Sequence, residues 1–162
     1  MRIPSLLLLA LLTTPLATAP LAAQSTDDER AVLAVVERTF DAMKARDTAS
    51  FRSVFAPGAR LVATFTDREG KPGMREITVD RFAEMIAGWE AEVVERIFDP
   101  QIRISHNLAT VWTEYDLHAD GKFSHCGVDA FQLARAPDGW KIVAIADTQQ
   151  REGCPSRPPL GS

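Results

Sequence analysis

The sequence predicts an α+β domain, and three observations carry that expectation. Apolar residues recur at helical spacing in the first part of the chain, the period changes to two from Val93 onward, and turn-forming pairs divide that later part into strands. Helices followed by a meander give an α+β order, whereas strict alternation of strand and helix would point to a parallel sheet. The 162 residues are 46% hydrophobic and 25% charged, which suits one core and disfavours disorder or low-complexity arrays. Net charge is −4 and the Lys and Arg residues are scattered singly, so no basic face exists for phosphates and nucleic acid is not an expected partner.

The elements follow in order. Arg2, the apolar run Leu6 to Leu12 and the small-residue segment Pro15 to Ala23 read as a signal peptide over 1–23, cut after Ala23. The apolar run is far shorter than the ~20 residues that cross a bilayer, and no later segment could span one. The expected protein is therefore exported, periplasmic or secreted, with a domain over 24–150 and a C-terminal tail over 151–162. In an oxidising compartment Cys126 and Cys154 are expected to pair, tying that tail to a strand; the alternative is two free thiols.

Thr26-Asp27-Asp28-Glu29 has the form of a capping box, and Leu33, Val36, Phe40 and Met43 continue a first helix to about Arg46. Asp47 caps a short second helix carrying Phe51, Val54 and Phe55, ended by Ala56-Pro57-Gly58. A strand over 60–66, a turn over 69–73 and a return strand over 74–78 come next. Asp80 is expected to cap a third helix with Phe82, Met85, Ile86 and Trp89. Strands over 94–105, 108–119, 122–135 and 140–149 complete the chain, separated by His106-Asn107, Asp120-Gly121 and Pro137-Asp138-Gly139.

Three stretches carry a family resemblance. Arg46-Asp47-Thr48-Ala49-Ser50-Phe51 with Phe55-Ala56-Pro57-Gly58-Ala59, the run Gly121 to Asp129, and Asp138-Gly139-Trp140-Lys141-Ile142-Val143 make the chain resemble the nuclear transport factor 2-like superfamily and its SnoaL-like members. The resemblance covers roughly 27–150. It implies a cone-shaped, cystatin-like fold with three N-terminal helices on a curved, mainly antiparallel sheet. Folds of this kind host isomerases, cyclases, dehydratases, hydrolases and plain binding modules, so the resemblance names no reaction.

Asp120-Gly121 is a strong hairpin signal, and a two-residue turn there predicts His118 opposite Phe123, Asp116 opposite His125, Glu114 opposite Gly127 and Trp112 opposite Asp129. Alternation then gathers Trp112, Glu114, Asp116, His118, Phe123, His125, Asp129, Phe131 and Leu133 on one face. Val111, Thr113, Tyr115, Leu117, Cys126, Val128 and Ala130 form the other, greasier face. The first face reads as a pocket for a small apolar or amphipathic molecule, with Trp112, Glu114, Asp116 and Phe131 as contacts. The opposite reading puts Tyr115 and Asp147 in the working cavity instead.

On the first reading Asp116 orients His125 and raises its pKa, so that His125 acts as base near neutral pH. Asp129 is desolvated and becomes a protonated donor or a general base. By resemblance to ketosteroid isomerases, Asp129 matches the acidic donor on the penultimate strand. Their general base has no counterpart in Leu61-Val62-Ala63-Thr64, and their first-helix tyrosine falls near Thr39 or Phe40.

The sequence thus predicts a small-molecule-binding domain. If it is an enzyme, the chemistry is cofactor-free proton transfer of the isomerase, lyase or hydrolase kind. The alternative is a non-catalytic module that dimerises through the greasy face. No cofactor is called for. His118, His125 and Asp116 share a predicted face, but no metal-binding His spacing accompanies them, so no metal is expected. A homodimer is the expected assembly.

Overall fold

The computed structural model describes residues 21–161. The expected signal peptide lies outside the described residues except for its last three positions. Helix α1 spans Leu21–Ala45, α2 Thr48–Ser53 and α3 Val79–Ala87; strands β1 to β6 span Phe55–Thr66, Pro72–Thr78, Val93–Ser105, Leu108–Ala119, Lys122–Ala136 and Gly139–Gln149. The six strands form one open sheet in the order β2-β1-β6-β5-β4-β3, antiparallel except where β1 runs parallel to β6.

Local chemistry explains most boundaries and corrects several: Phe55 to Gly58, expected to close α2, open β1, and Trp89 lies beyond α3. α1 runs through Thr26, so the expected capping box is not a helix start; Leu21-Ala22-Ala23-Gln24 has high helix propensity and no breaker. Asp47 caps α2 as expected, its carboxylate accepting from the Ala49 and Ser50 amides. α3 is capped by Thr78, whose hydroxyl accepts from the Arg81 amide, rather than by Asp80. Asp80 lies inside the first turn, where its charge suits the helix dipole and pairs with Arg52.

The helices pack on one face of the sheet. Val32, Val36 and Met43 of α1 meet Phe51, Val54, Val111, Phe131, Leu133 and Ile142 in a single core. Deleting a fully buried ring such as Phe51 or Phe131 leaves a large void, so Phe51→Ala is expected to cost about 3–5 kcal/mol in urea unfolding.

The β4–β5 hairpin decides which residues share the core side. Asp120 and Gly121 both have positive φ, 50° and 73°, the type I′ turn expected of Asp-Gly. Ala119↔Lys122 and His118↔Phe123 pair as predicted, but a bulge follows and Ser124 has no opposite number. Beyond it Leu117 faces His125, Asp116 faces Cys126, Tyr115 faces Gly127, Glu114 faces Val128 and Thr113 faces Asp129. The predicted pairs Asp116–His125, Glu114–Gly127 and Trp112–Asp129 are therefore each displaced by one residue, and the two predicted faces exchange partners.

Cys126 and Cys154 form a disulfide with Cα atoms 6.0 Å apart, closing a loop of 28 residues. It fastens the tail to the sheet face away from the helices, where Arg96 donates to the Pro158 and Pro159 carbonyls and Arg157 pairs with Glu114. Reduction, or the Cys126→Ala/Cys154→Ala variant, should lower stability by about 3 kcal/mol through loop entropy, read as a fall in Tm with and without dithiothreitol.

Candidate functional site

A cavity of about 390 Å³ opens between the helices and the sheet. Phe40 and Met43 of α1, Phe82 and Met85 of α3, and Trp89 just beyond it form one wall. Leu117, Phe131 and Ile145 continue the apolar lining from the strands. The polar lining comes wholly from the sheet apart from Thr39: Arg75 on β2, Glu95 on β3, Tyr115 on β4, His125 and Asp129 on β5, and Asp147 and Gln149 on β6.

Sheet register brings the carboxyl groups together. Asp129 stands directly opposite Asp147 across β5–β6, and Thr113 flanks it on the other side. Like charges in opposed positions repel, and burial sharpens the effect. Asp129 is 3% exposed; burial, then the nearby Asp147 charge, push its carboxyl well above the usual carboxylate range, and a hydrogen bond from Glu95 only partly offsets this. Glu95 is raised still by burial, by the charges of Asp129 and Asp147 and by that same hydrogen bond. Ionisation of either carboxyl group therefore disfavours ionisation of the other, and their titration belongs to the cluster. Burial also raises Asp147, against a hydrogen bond from Gln149 and the charge of Arg75. One oxygen, Asp129 Oδ2, is buried and has no hydrogen-bond partner.

Tyr115 crosses the cavity floor. Its hydroxyl donates to the Thr148 carbonyl at 2.8 Å, and burial followed by the three carboxyl groups raises its pKa, so it stays protonated. Gly127 makes that crossing feasible: a Cβ there would stand 1.8 Å from the Thr148 carbonyl oxygen and 2.8 Å from the Tyr115 ring. His125 packs edge-on to Tyr115, with ring centroids 5.7 Å apart, and its Nδ1 lies 3.0 Å from the Ser124 hydroxyl. His125 and Gln149 also line a broader outer cleft of about 1100 Å³, bounded by the β1–β2 turn and Gln150 to Glu152.

The structure sorts the expected site residues into two groups. His125, Asp129, Tyr115 and Phe131 line one cavity, with Asp147 beside them. Trp112, Glu114 and Asp116 lie on the opposite face, because the bulge at Ser124 sends alternate residues of β4 and β5 to the other side from that expected. Asp116 is paired with Arg96 at 2.6 Å and sits 3.5 Å from His118. Burial alone would raise it, but Arg96 and His118 outweigh that and hold it below the usual range. It therefore does not orient His125, whose pKa is lowered, not raised, first by burial and then by Arg151. His125 is a neutral imidazole at pH 7.

Glu95 and Arg75 were not foreseen. A carboxylate in the run Val93-Val94-Glu95-Arg96-Ile97-Phe98, where Arg96 is the one other charged residue, was the available signal for Glu95. Arg75 gave none. Among the described residues no group of three His, Cys, Asp or Glu side chains is placed to hold a metal ion, and no helix is long and apolar enough to cross a membrane.

Helices laid on one face of an open, mostly antiparallel sheet, with a cavity enclosed between them, define the nuclear transport factor 2-like class with its cystatin-like cone. Solved structures agree. An NTF2-like protein with a cystatin-like fold from Novosphingobium aromaticivorans superposes with a TM-score of 0.65 at 11% identity, over 82% of this chain and 88% of that one. An NTF2-like superfamily protein from Salmonella enterica serovar Typhimurium gives 0.61 at 16%, covering 85% and 97%. A Streptomyces avermitilis protein described as a "putative dehydratase" of the NTF2-like family gives 0.60 at 17%, covering 79% and 99%. Within this class, the sequence profile described as "Putative lumazine-binding" matches residues 27–146, and the chain belongs to that family. No match is found among curated proteins.

Proposed function

We propose that this domain binds a small, mostly apolar molecule in the cavity, with Asp129 and His125 as the polar groups that orient it. One observation carries the reading: Asp129, whose Oδ2 is buried and without a partner, lines an apolar-walled cavity of about 390 Å³. A buried polar atom left unpaired costs about 1–3 kcal/mol, and a ligand that supplies the missing hydrogen bond recovers it. The family's description adds support for a small-molecule ligand. A thermal-shift screen of lipophilic compounds tests the proposal. Compounds that stabilise the wild type should lose most of that shift in His125→Ala/Asp129→Ala and keep it in Trp112→Ala, which lies on the far face. Equal shifts in the double variant would end the assignment.

The raised, mutually coupled carboxyl groups of Glu95 and Asp129 in the cavity favour a second reading, cofactor-free acid–base catalysis. Here the protonated pair hydrogen-bonds a substrate carbonyl and Asp147, the less perturbed carboxylate, takes the neighbouring C–H proton. Proton–deuterium exchange of a bound ligand in heavy water, followed by NMR, would be lost in Asp147→Asn; no exchange with any ligand leaves binding alone.

We further propose export with cleavage after Ala23, leaving the domain over 24–150 and the tail over 151–162; the disulfide supports this. Intact mass of the protein expressed with its own leader reads the cut. The greasy β4 residues first offered for dimerisation lie under the helices, so a homodimer is proposed instead through the outer face, where Trp112 is 54% and Leu108 52% exposed. Trp112→Asp should shift light-scattering mass to that of a monomer.

A further inference from the structure

We infer that the cavity selects a cation: an amphipathic molecule with a protonated amine or amidine head, seated against Asp129 and Glu95, and an apolar aromatic body. The inference rests on the cavity being a ligand site, as proposed above.

The buried charged groups of the lining have one sign, and its single cationic side chain, Arg75, is exposed. Three carboxyl groups, Glu95, Asp129 and Asp147, converge from β3, β5 and β6, and the helices that cover them contribute no charged side chain to the wall. Besides Asp116, whose charge on the far face also raises Glu95, three titratable groups face them. Tyr115 stays protonated, His125 is neutral at pH 7, and Arg75 on β2 is exposed and acts on Asp147. Arg151 borders the outer cleft and not the cavity. Asp147 thus has a counter-charge, while Glu95 and Asp129 face each other without one.

A buried carboxyl pair that lacks a counter-ion keeps a proton, and a bound cation would replace it. Asp129 Oδ2 leaves an acceptor site open for an N–H donor. The apolar wall suits the same ligand. Phe82 and Trp89 meet edge to face with centroids 6.0 Å apart, as do Phe40 and Phe131, and aromatic rings so placed present faces or edges to a flat body and attract a nearby cation. An anion would meet repulsion from every carboxyl group and would find no buried base.

Three probes with one apolar body separate the possibilities: 1-naphthylmethylamine, 1-naphthalenemethanol and 1-naphthoate, titrated calorimetrically at pH 7 into the wild type, Asp129→Asn and Glu95→Gln. The amine should bind about tenfold or more tighter than the alcohol, and the carboxylate weakest. Its apparent heat should vary with the ionisation enthalpy of the buffer, reporting a proton released on binding. Asp129→Asn should bring amine and alcohol within about threefold of each other while alcohol binding persists, and Glu95→Gln should reduce proton release. If the alcohol or the carboxylate binds the wild type as well as the amine, the cation inference falls and the pocket stands. If none of the three binds, the ligand-binding reading falls with it.

Discussion

Gly127→Ala should unfold the domain or weaken it by at least about 3 kcal/mol, the upper end of the cost of overpacking a core. The added methyl would lie 1.8 Å from the backbone oxygen of Thr148 and 2.8 Å from the ring of Tyr115. A flexible side chain could swing aside, but a carbonyl fixed in β6 cannot. The strand would have to retreat from β5, breaking the Tyr115 hydroxyl bond to Thr148 and the Val128 amide bond to the Thr148 hydroxyl. Gly121→Ala is the control. Gly121 has φ 73° and open space around it, so alanine there meets only backbone strain of roughly 1–2 kcal/mol. Urea unfolding of both variants reads the difference; a Gly127→Ala midpoint as high as that of Gly121→Ala would mean that β5 and β6 do not approach as described.

Asp129→Asn should raise Tm at pH 8 while removing the preference for a cationic ligand. The carboxyl groups of Asp129, Glu95 and Asp147 are all raised in the folded protein, first by burial. A raised group stabilises fully below its unfolded pKa, about 4, and that contribution fades as pH climbs through the higher folded value. That contribution should therefore fall from about pH 5 toward pH 8. Groups with lowered values act in the other direction: Asp116 beside Arg96, and the exposed Asp47, Glu76 and Asp138, contribute above the ordinary carboxyl range and are lost as pH drops through their folded values. His125, lowered by burial and Arg151, opposes the cavity carboxyls below its unfolded value of about 6.5, so the maximum should lie between about pH 5 and 6.5. Removing the Asp129 charge relieves its repulsion with Asp147 and should add about 1 kcal/mol at pH 8, flattening the upper limb. Melts of both proteins from pH 4 to 8 decide it; parallel curves would show that the cavity carboxyls are ionised throughout.

These two outcomes bear on one design. A stabilising Asp129→Asn would show that the chain keeps a buried acid at a cost to its fold, as binding and catalytic sites do. A Gly127 that tolerates no side chain would show that the cavity floor depends on a backbone contact rather than on any catalytic group.

Much of the fold was legible residue by residue. Asp47 before Thr48-Ala49-Ser50 has an oxygen for free amides; Asp120-Gly121 accepts two positive φ values; the period-two runs after Val93 became strands; and two cysteines in reach of each other paired. Such signals are local, set by a few neighbouring side chains and the backbone they prefer. The site was half legible. Asp129 and His125 do line a cavity, but beside Tyr115 rather than Trp112, because Ser124 is skipped in the pairing and a shift of one residue turns a strand over relative to its neighbour. A bulge leaves the alternation of each strand intact, so hydrophobic pattern alone does not reveal it. Glu95, Asp129 and Asp147 lie far apart in the chain and meet only because β3, β5 and β6 share one sheet face beneath the helices. Local side-chain chemistry set the order of the elements and the Asp120-Gly121 turn, and it made the disulfide an expectation. Tertiary structure alone decided which face the helices cover, and hence which carboxyl groups lose their water and which, like Asp116 beside Arg96, keep a partner.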